Sequence, residues 1–175
     1  MFILETPRLS LREMTQADLP ALKRTLQDPI AMRAYEHAFS DQEAQDWLDR
    51  QLMRYQKDGF GLWAVLSRET GDWLGQCGIS MQAWDGEMVP EVGYLFERVH
   101  WHHGYATEAA MACRDYAFQV LGFDEVFTII RDMNIASQRV AERNGMTRRA
   151  TGIRHYYGID MPHYLYSIRR EEWTK

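Results

Sequence analysis

A carboxylate near the middle of the chain is the residue best suited to acid–base chemistry. Glu91 begins the segment Glu91–Phe96, whose β-branched and aromatic content is typical of a strand. On a strand its side chain points to the same face as those of Gly93 and Leu95, and the glycine leaves room beside it. Such a carboxylate can take a proton from an amine, directly or through water. The alternative is a strand-edge carboxylate in a surface ion pair.

A loop that leads into a helix follows this strand and forms a second candidate site. Gly104 allows a sharp backbone turn, and the free N–H groups at the start of the next helix offer donors and a positive dipole end to an anion. Small apolar residues then recur at helical spacing, so the helix can lie close to a sheet. The order of strand, loop and helix is the order that phosphate binding needs.

The loop also carries three histidines, at positions 100, 102 and 103. Without carboxylate or cysteine partners, neighbouring histidines on one loop make a poor tetrahedral metal site, so we expect no metal. His102 and His103 are candidates to add positive charge near a phosphate when they are protonated. The alternative is that both are solvated loop residues.

Length and composition favour one domain over residues 1–175, since 175 residues with 46% apolar content suit a single sizeable core. A net charge of −5 without a basic block argues against nucleic acid as a partner. Cys77 and Cys113 are predicted to be buried thiols in a reducing compartment. No apolar run approaches about 18 residues and no secretory signal precedes the first strand, so we expect a cytoplasmic protein without a membrane partner.

A coarse reading of the elements predicts a mixed α/β fold. Helices are expected after the capping pairs Thr15/Asp18 and Ser40/Glu43, after Gly104, and after Asn134. The predicted strands are 8–12, 61–66, 73–79, 91–96, 125–130, and two between 147 and 170 that flank a turn at 157–160.

Two motifs resemble those of the GNAT N-acetyltransferase superfamily. The segment 101–109, Trp-x-x-Gly-Tyr-Ala-Thr-Glu-Ala, resembles its acetyl-CoA pyrophosphate motif, Gln/Arg-x-x-Gly-x-Gly/Ala. The segment 134–146, with Asn134, Ser137 and Arg143 followed by Gly145, resembles its Asn-x-x-Ser/Ala and Lys/Arg-x-Gly-Phe elements. The tryptophan at the first position and the opening segment 5–12 are similar to the branch typified by ribosomal-protein N-terminal acetyltransferases.

The resemblance implies a GNAT fold, with a mixed sheet of about seven strands and about four helices, and acetyl-CoA as cosubstrate. It implies that two strands, around Glu91 and around Phe127, splay apart to admit the thioester arm. The pantetheine amides would pair with backbone near Phe96, Glu97 and Val99. The pyrophosphate would be held by backbone N–H groups of His102, His103, Gly104, Tyr105, Ala106 and Thr107.

The helix that follows Asn134 carries the remaining implied cosubstrate contacts. Asn134 would bind the pantetheine arm and Arg143 would lie near the phosphates, although each also suits a purely structural role, as N-cap and as a C-terminal cation. The position of the tyrosine general acid of many family members is Ala141 here. Ser137 is a possible substitute donor to the leaving sulfur, and a surface serine is the alternative.

The function that this resemblance implies is direct transfer of an acetyl group from acetyl-CoA to a primary amine. Glu91 would be the base, a backbone N–H near Tyr94 or Leu95 would stabilise the oxyanion, and a thiol is a tolerable leaving group. The acceptor is either a protein N-terminal α-amine or a small cationic amine. Candidate acceptor-binding residues are Tyr35, Glu36, Tyr94 and Tyr157.

Two other properties stay open at this point. The first is whether the chain is instead a catalytically weak acyl-CoA-binding sensor or interaction module, an alternative that Ala141 keeps open. The second is oligomeric state: GNAT proteins often form homodimers, and Trp84 and Trp173 are candidate aromatic contacts.

Overall fold

The computed structural model describes residues 1–173 and is built around one mixed sheet of eight strands. All neighbouring strands are antiparallel except β5 and β6, which are parallel. The mixed α/β fold is confirmed, and the strand beyond the expected seven is the two-residue β1. In sheet order the strands are β1 (Leu4–Glu5), β2 (Leu9–Arg12), β3 (Leu62–Ser67), β4 (Trp73–Trp84), β5 (Glu87–Phe96), β6 (Glu125–Arg131), β8 (Ile159–Arg169) and β7 (Thr147–Tyr156).

Four α-helices flank the sheet, and the predicted capping residues begin two of them. Ser40 accepts a hydrogen bond from the Glu43 N–H at 3.1 Å, and the Glu43 carboxylate accepts one from the Ser40 N–H at 2.8 Å. Asn134 accepts from the Ser137 N–H at 3.3 Å. The helices are α1 (Leu19–Leu26), α2 (Asp41–Asp58), α3 (Tyr105–Gln119) and α4 (Ile135–Arg143), with 3₁₀ turns at Gln16–Asp18, Arg33–Tyr35, Arg98–His100 and Arg170–Glu172.

The two faces of the sheet bury separate apolar clusters. Val92 and Phe96 of β5 belong to the cluster beneath α3 and α4, whereas Leu95 packs against the cluster beneath α1 and α2. Because side chains alternate along a strand, Glu91 and Gly93 share the α1–α2 face with Leu95. The alternation therefore directs the candidate base away from the α3–α4 core.

The sheet opens between its two parallel strands. The only backbone bridge between β5 and β6 in residues 1–173 joins Glu91 to Phe127. One residue further on, the Thr128 hydroxyl donates to the Val92 carbonyl at 3.0 Å, and beyond that point the strands separate. The result is a gap at the carboxyl ends of two parallel strands, the end at which open α/β sheets bind ligands.

Both cysteines are buried, as predicted. Their Sγ atoms lie 3.6 Å apart without a covalent bond, and burial raises the pKa of the Cys77 thiol. The two aromatic residues considered for a dimer contact have neighbours within the chain, and their part in a dimer stays a prediction. Trp84 lies against Gly152, and Trp173 packs on Phe118. Within residues 1–173, no helix combines the length and apolar character that crossing a membrane requires.

Candidate active site

Glu91 lies at the closed end of the gap, at the point where β5 and β6 still pair. It is partly buried, and the backbone N–H of Ile129 favours its ionised form. Burial raises the pKa of Glu91 to about 7, outweighing the attraction of Arg154 and Arg54. No basic side chain among the described residues forms an ion pair with it. The surface ion pair that was the alternative for Glu91 is therefore wrong.

Aromatic residues from two segments form a wall on the same face as Glu91. Tyr35 packs edge-on against Phe39 and Trp47, with ring centroids 6.1 and 6.0 Å apart. Burial, followed by the charge of Glu91, raises the pKa of Tyr35, so the phenol stays protonated near the carboxylate. Tyr157, at the tip of the β7–β8 hairpin, meets the ring of His37 at 4.4 Å. The hairpin tip therefore contacts the segment that precedes α2.

Glu36 is engaged by a residue of β6 and is not free. Its carboxylate forms an ion pair with Arg131. Arg131 also donates to the carbonyls of Arg33 and Ala34, at 3.5 and 3.3 Å. These contacts hold the 3₁₀ turn Arg33–Tyr35 against β6. The ion pair therefore helps to position Tyr35 in the aromatic wall. Contact between Glu36 and an acceptor stays a prediction.

Tyr94 occupies the other face of β5. Its hydroxyl donates to the Ser137 carbonyl of α4 at 3.4 Å, and burial raises its pKa. A cavity of about 10 Å³, room for one water molecule, is bordered by Tyr94, Thr128, Ala141 and Asn144. The Tyr94 side chain therefore points toward α4, where the missing family tyrosine would be, and not into the wall formed by Tyr35 and Tyr157.

The loop before α3 leaves its backbone donors free. Gly104 has φ +79° and His102 has φ +64°. The first hydrogen bond of the helix runs from the Glu108 N–H to the Gly104 carbonyl at 3.1 Å. Among the described residues, the N–H groups of 102–107 have no hydrogen-bond partner. Six adjacent donors at a helix start suit a pyrophosphate.

Two residues near the N-terminus, Thr6 and Arg8, anchor this loop, a role that was not predicted from the sequence. The Glu108 carboxylate accepts from the Thr6 hydroxyl at 2.6 Å, and from the N–H and Nε of Arg8 at 3.0 and 2.6 Å. Arg8 also donates to the His103 carbonyl at 2.9 Å and lies over the Tyr105 ring at 4.6 Å. Its position in the family-like opening segment was the one available signal.

His102 and His103 are exposed, and His100 is half-buried. The His103 ring lies 3.2 Å from the His100 carbonyl and stacks on Tyr105 at 5.7 Å. In residues 1–173, no three His, Cys, Asp or Glu side chains are grouped so that they could hold a metal ion. Electrostatic help from His102 or His103 to a phosphate stays a prediction.

The edge of β5 that faces the gap differs in detail from the expectation. The Glu97 N–H bonds to the Leu74 carbonyl at 2.9 Å, so it is turned toward β4. Backbone groups alternate in direction along a strand, so those of Tyr94 and Phe96 face the gap. The Phe96 carbonyl already accepts from the Trp101 indole at 3.0 Å. The backbone of Tyr94 is therefore the most accessible partner for pantetheine amides, while Val99 is exposed on the following turn.

The helix α4 presents the two remaining predicted cosubstrate contacts at its two ends. Asn134 uses its side-chain oxygen as the N-cap, so only its amide NH₂ is left to donate to a ligand. Arg143 is exposed in the last turn, and no carboxylate of residues 1–173 forms an ion pair with it. Its charge is available to a phosphate.

The site combines two parallel strands that separate, free amides at the start of the next helix, and a carboxylate at the point of separation. This combination suits an enzyme that transfers an acyl group from coenzyme A. The family model described as an acetyltransferase (GNAT) domain matches residues 8–147, and the chain belongs to this family. It is an acetyl-CoA-dependent acetyltransferase.

Its relatives include an uncharacterized protein, YkkB, of Bacillus subtilis, 39% identical over 82% of this chain and 84% of its own length. An uncharacterized N-acetyltransferase of the same organism, YoaA, is 27% identical over 95% of this chain and 96% of its own. Among solved structures, an acetyltransferase from Agrobacterium tumefaciens is 29% identical with a TM-score of 0.81, covering 95% of this chain and 94% of its own.

Replacing Arg8 by glutamine should raise the KM for acetyl-CoA by about tenfold with a smaller change in kcat. The reason is that Arg8 ties Glu108 and the His103 carbonyl together, so its loss loosens the loop that holds the pyrophosphate. Steady-state kinetics with varied acetyl-CoA measure this. Arg169→Gln, which removes an exposed arginine of β8, is the control. An unchanged KM in Arg8→Gln would contradict the anchoring role.

Proposed function

We propose that this chain acetylates a primary amine by direct transfer from acetyl-CoA, with Glu91 as the general base. The observation that carries the proposal is a carboxylate with a pKa of about 7, held beside the gap without an ion pair in the described chain. A base whose pKa lies near the working pH is effective, because much of it is ionised and it still accepts a proton readily. The whole chain would serve as one GNAT domain.

The proposed reaction balances as a single displacement. The acceptor amine loses a proton to Glu91, directly or through a water molecule, and its nitrogen attacks the thioester carbonyl. The C–N bond forms, the C–S bond breaks, the nitrogen releases its second proton as the amide forms, and the sulfur takes up a proton. The Tyr94 N–H, which faces the gap, is the candidate donor to the oxyanion.

Two hydroxyls are candidates to protonate the leaving sulfur. Ser137 was the choice from sequence, and the Tyr94 phenol, 3.4 Å from the Ser137 carbonyl, is the one that the contacts favour. Tyr94 borders the same small cavity as Ala141, so its side chain lies on the same side of the sheet as that position. A raised pKa keeps the phenol protonated through neutral pH.

Tyr94→Phe should therefore lower kcat by about tenfold or more, while Ser137→Ala should change it by less than about threefold. A thiolate leaves without full protonation, so the loss is moderate. The readout is kcat at saturating acetyl-CoA and acceptor, with affinity for acetyl-CoA measured in parallel. If Ser137→Ala shows the larger loss, the serine is the donor and the assignment to Tyr94 is wrong.

The acceptor is either a protein N-terminal α-amine or a small cationic amine. Structures with the same fold include RimL, a ribosomal L7/L12 α-N-protein acetyltransferase, at 16% identity, and a spermidine N-acetyltransferase from Vibrio cholerae at 14%. Such identities support the fold alone. We infer a place in the ribosomal-protein branch from the motif at 101–109, and with it a protein or peptide N-terminal α-amine as the leading acceptor.

Release of CoA thiol from acetyl-CoA tests the proposal. The acceptor pools are peptides with varied N-termini, polyamines, and amino sugars or aminoglycosides, beside a reaction without acceptor. Turnover that depends on one pool, and that disappears in Glu91→Gln, supports the proposal. The alternative is a binding module: there acetyl-CoA would raise the melting temperature, no pool would accelerate thiol release, and Glu91→Gln would change nothing.

A further inference from the structure

Two arginines stand near Glu91 without a carboxylate of their own. Arg54 lies on α2 and Arg154 on β7, and the charge of each acts on Glu91. Most other arginines of the chain are paired; these two form no ion pair within residues 1–173. Both are half-buried, which makes an uncompensated charge unfavourable.

Each guanidinium is held in place by neutral groups. Arg154 donates to the Ala83 carbonyl at 2.6 Å and to the Tyr156 hydroxyl at 2.9 Å, and lies over the Trp84 ring at 6.0 Å. Arg54 donates to the side-chain oxygen of Gln51 at 3.2 Å. Neutral acceptors fix the direction of these side chains, and no carboxylate of residues 1–173 forms an ion pair with either of them.

Charges of both signs surround Arg54, and the net effect disfavours its positive charge. Burial and the charge of Arg50, one turn earlier on α2, lower the pKa of Arg54, against the opposing charges of Glu91 and Asp58. The other acidic residues near the aromatic wall already have partners: Glu36 pairs with Arg131, and Glu43 pairs with His37 and caps α2. Among the described residues, a polycation would therefore meet two paired carboxylates at the wall, and Glu91, which must accept a proton.

We propose that Arg54 and Arg154 bind an anionic group of the acceptor, so that the preferred substrates are primary amines that carry a carboxylate close to the amine. This inference rests on the proposed function and narrows its acceptor class. Arginine is suited to the role because its planar fork matches a carboxylate and its charge is permanent. The carboxylate could be the α-carboxylate of an amino acid or an acidic side chain next to a peptide N-terminus, since both present the same chemistry.

Matched acceptors separate these sources. One arm compares an amino acid with its amide; a second compares dipeptide amides whose second residue is aspartate or asparagine; spermidine represents polycations. Rates are compared at about pH 8.5, well above the pKa of Glu91, and per concentration of unprotonated amine, because the amine pKa differs between acceptors. In at least one arm the carboxylate form should have a kcat/KM about tenfold or more higher than its neutral partner.

Arg54→Gln and Arg154→Gln should each reduce this preference toward unity by raising the acceptor KM, without changing the KM for acetyl-CoA. Arg148→Gln is the matched control, because Arg148 is also unpaired and lies on β7 but stacks on Tyr164. Arg154→Lys, which keeps the charge, should retain part of the preference. Melting temperatures check that each variant is folded.

Equal rates in both arms, a preference for spermidine, or a carboxylate preference that survives in both glutamine variants would overturn the inference while leaving the acetyltransferase proposal intact. Absence of turnover with every acceptor, in protein that binds acetyl-CoA, would instead contradict the proposed function and the inference with it. The two failures are therefore distinguishable.

Discussion

Glu91→Gln should lower kcat/KM for the acceptor by about a hundredfold or more and leave the affinity for acetyl-CoA unchanged. Glutamine has nearly the same shape but cannot take a proton from the amine. In the unaltered enzyme, kcat/KM per concentration of unprotonated amine should fall about tenfold per pH unit below about pH 7, because protonation of Glu91 removes the base. The variant should lack this limb, since it has no carboxylate to titrate at that position.

The controls separate chemistry from folding. Glu87→Gln changes an exposed carboxylate at the start of the same strand and should retain full activity. Glu91 has a pKa above that of an unfolded glutamate, so the folded state favours its protonated form and stability is lost as pH rises from about 4.5 toward about 7. Above pH 7, Glu91→Gln should therefore melt no lower than the unaltered enzyme. Full activity in Glu91→Gln, or a limb near pH 7 that persists in it after correction for protonation of the amine, would remove Glu91 from the mechanism.

Gly104→Val should raise the Kd for acetyl-CoA by about a hundredfold. Gly104 adopts φ +79°, a conformation that costs a residue with a side chain about 1–2 kcal/mol, and more for a β-branched one. An added Cβ would also lie 3.4 Å from Nη2 of Arg8, the anchor of the loop whose free N–H groups face a pyrophosphate. Isothermal titration with acetyl-CoA measures the effect.

Gly122→Val provides the control for backbone strain. Gly122 lies just past the other end of α3 with φ +76°, and nothing lies within 4 Å of a side chain placed there. Both variants should lose similar stability, and only Gly104→Val should lose affinity. Equal affinities in the two variants would mean that the loop does not hold the pyrophosphate.

The sequence allowed the elements and the loop before α3 to be predicted, because their signals are local. Ser40 and Asn134 indicate helix starts because their side chains cap the helix, and Gly104 indicates a left-handed turn. The strand bounds were less accurate: β4 runs to Trp84 and β5 begins at Glu87, both beyond the prediction. The turn at 85–86 interrupts one long hairpin, and the alternation on either side of it is too weak to mark strand residues.

The site was harder to predict because it depends on contacts between distant segments. Arg8 and Glu108 are 100 positions apart, and Arg131 meets Glu36 across the gap. Neither pairing can be recognised from the spacing of residues within one segment of the sequence. Tyr94 was predicted to bind the acceptor because it lies on the same strand as Glu91. Side chains alternate along that strand, so the Tyr94 side chain points to α4 and that of Glu91 to the opposite face. That direction follows from which face of β5 carries the core.

In residues 1–173, the single bridge from Glu91 to Phe127 separates two hydrogen-bonded parts of the sheet, here called leaves: β1 to β5 and β6 to β8. The leaves are joined mainly by side chains and by α3, which packs on β4, β5 and β6. They can therefore open relative to each other without breaking the ladder inside either one. A ligand that pairs with the exposed edge of β5 would act as an additional strand, so amide hydrogen exchange at Tyr94 and Phe96 would report occupancy of the gap directly, independent of any turnover.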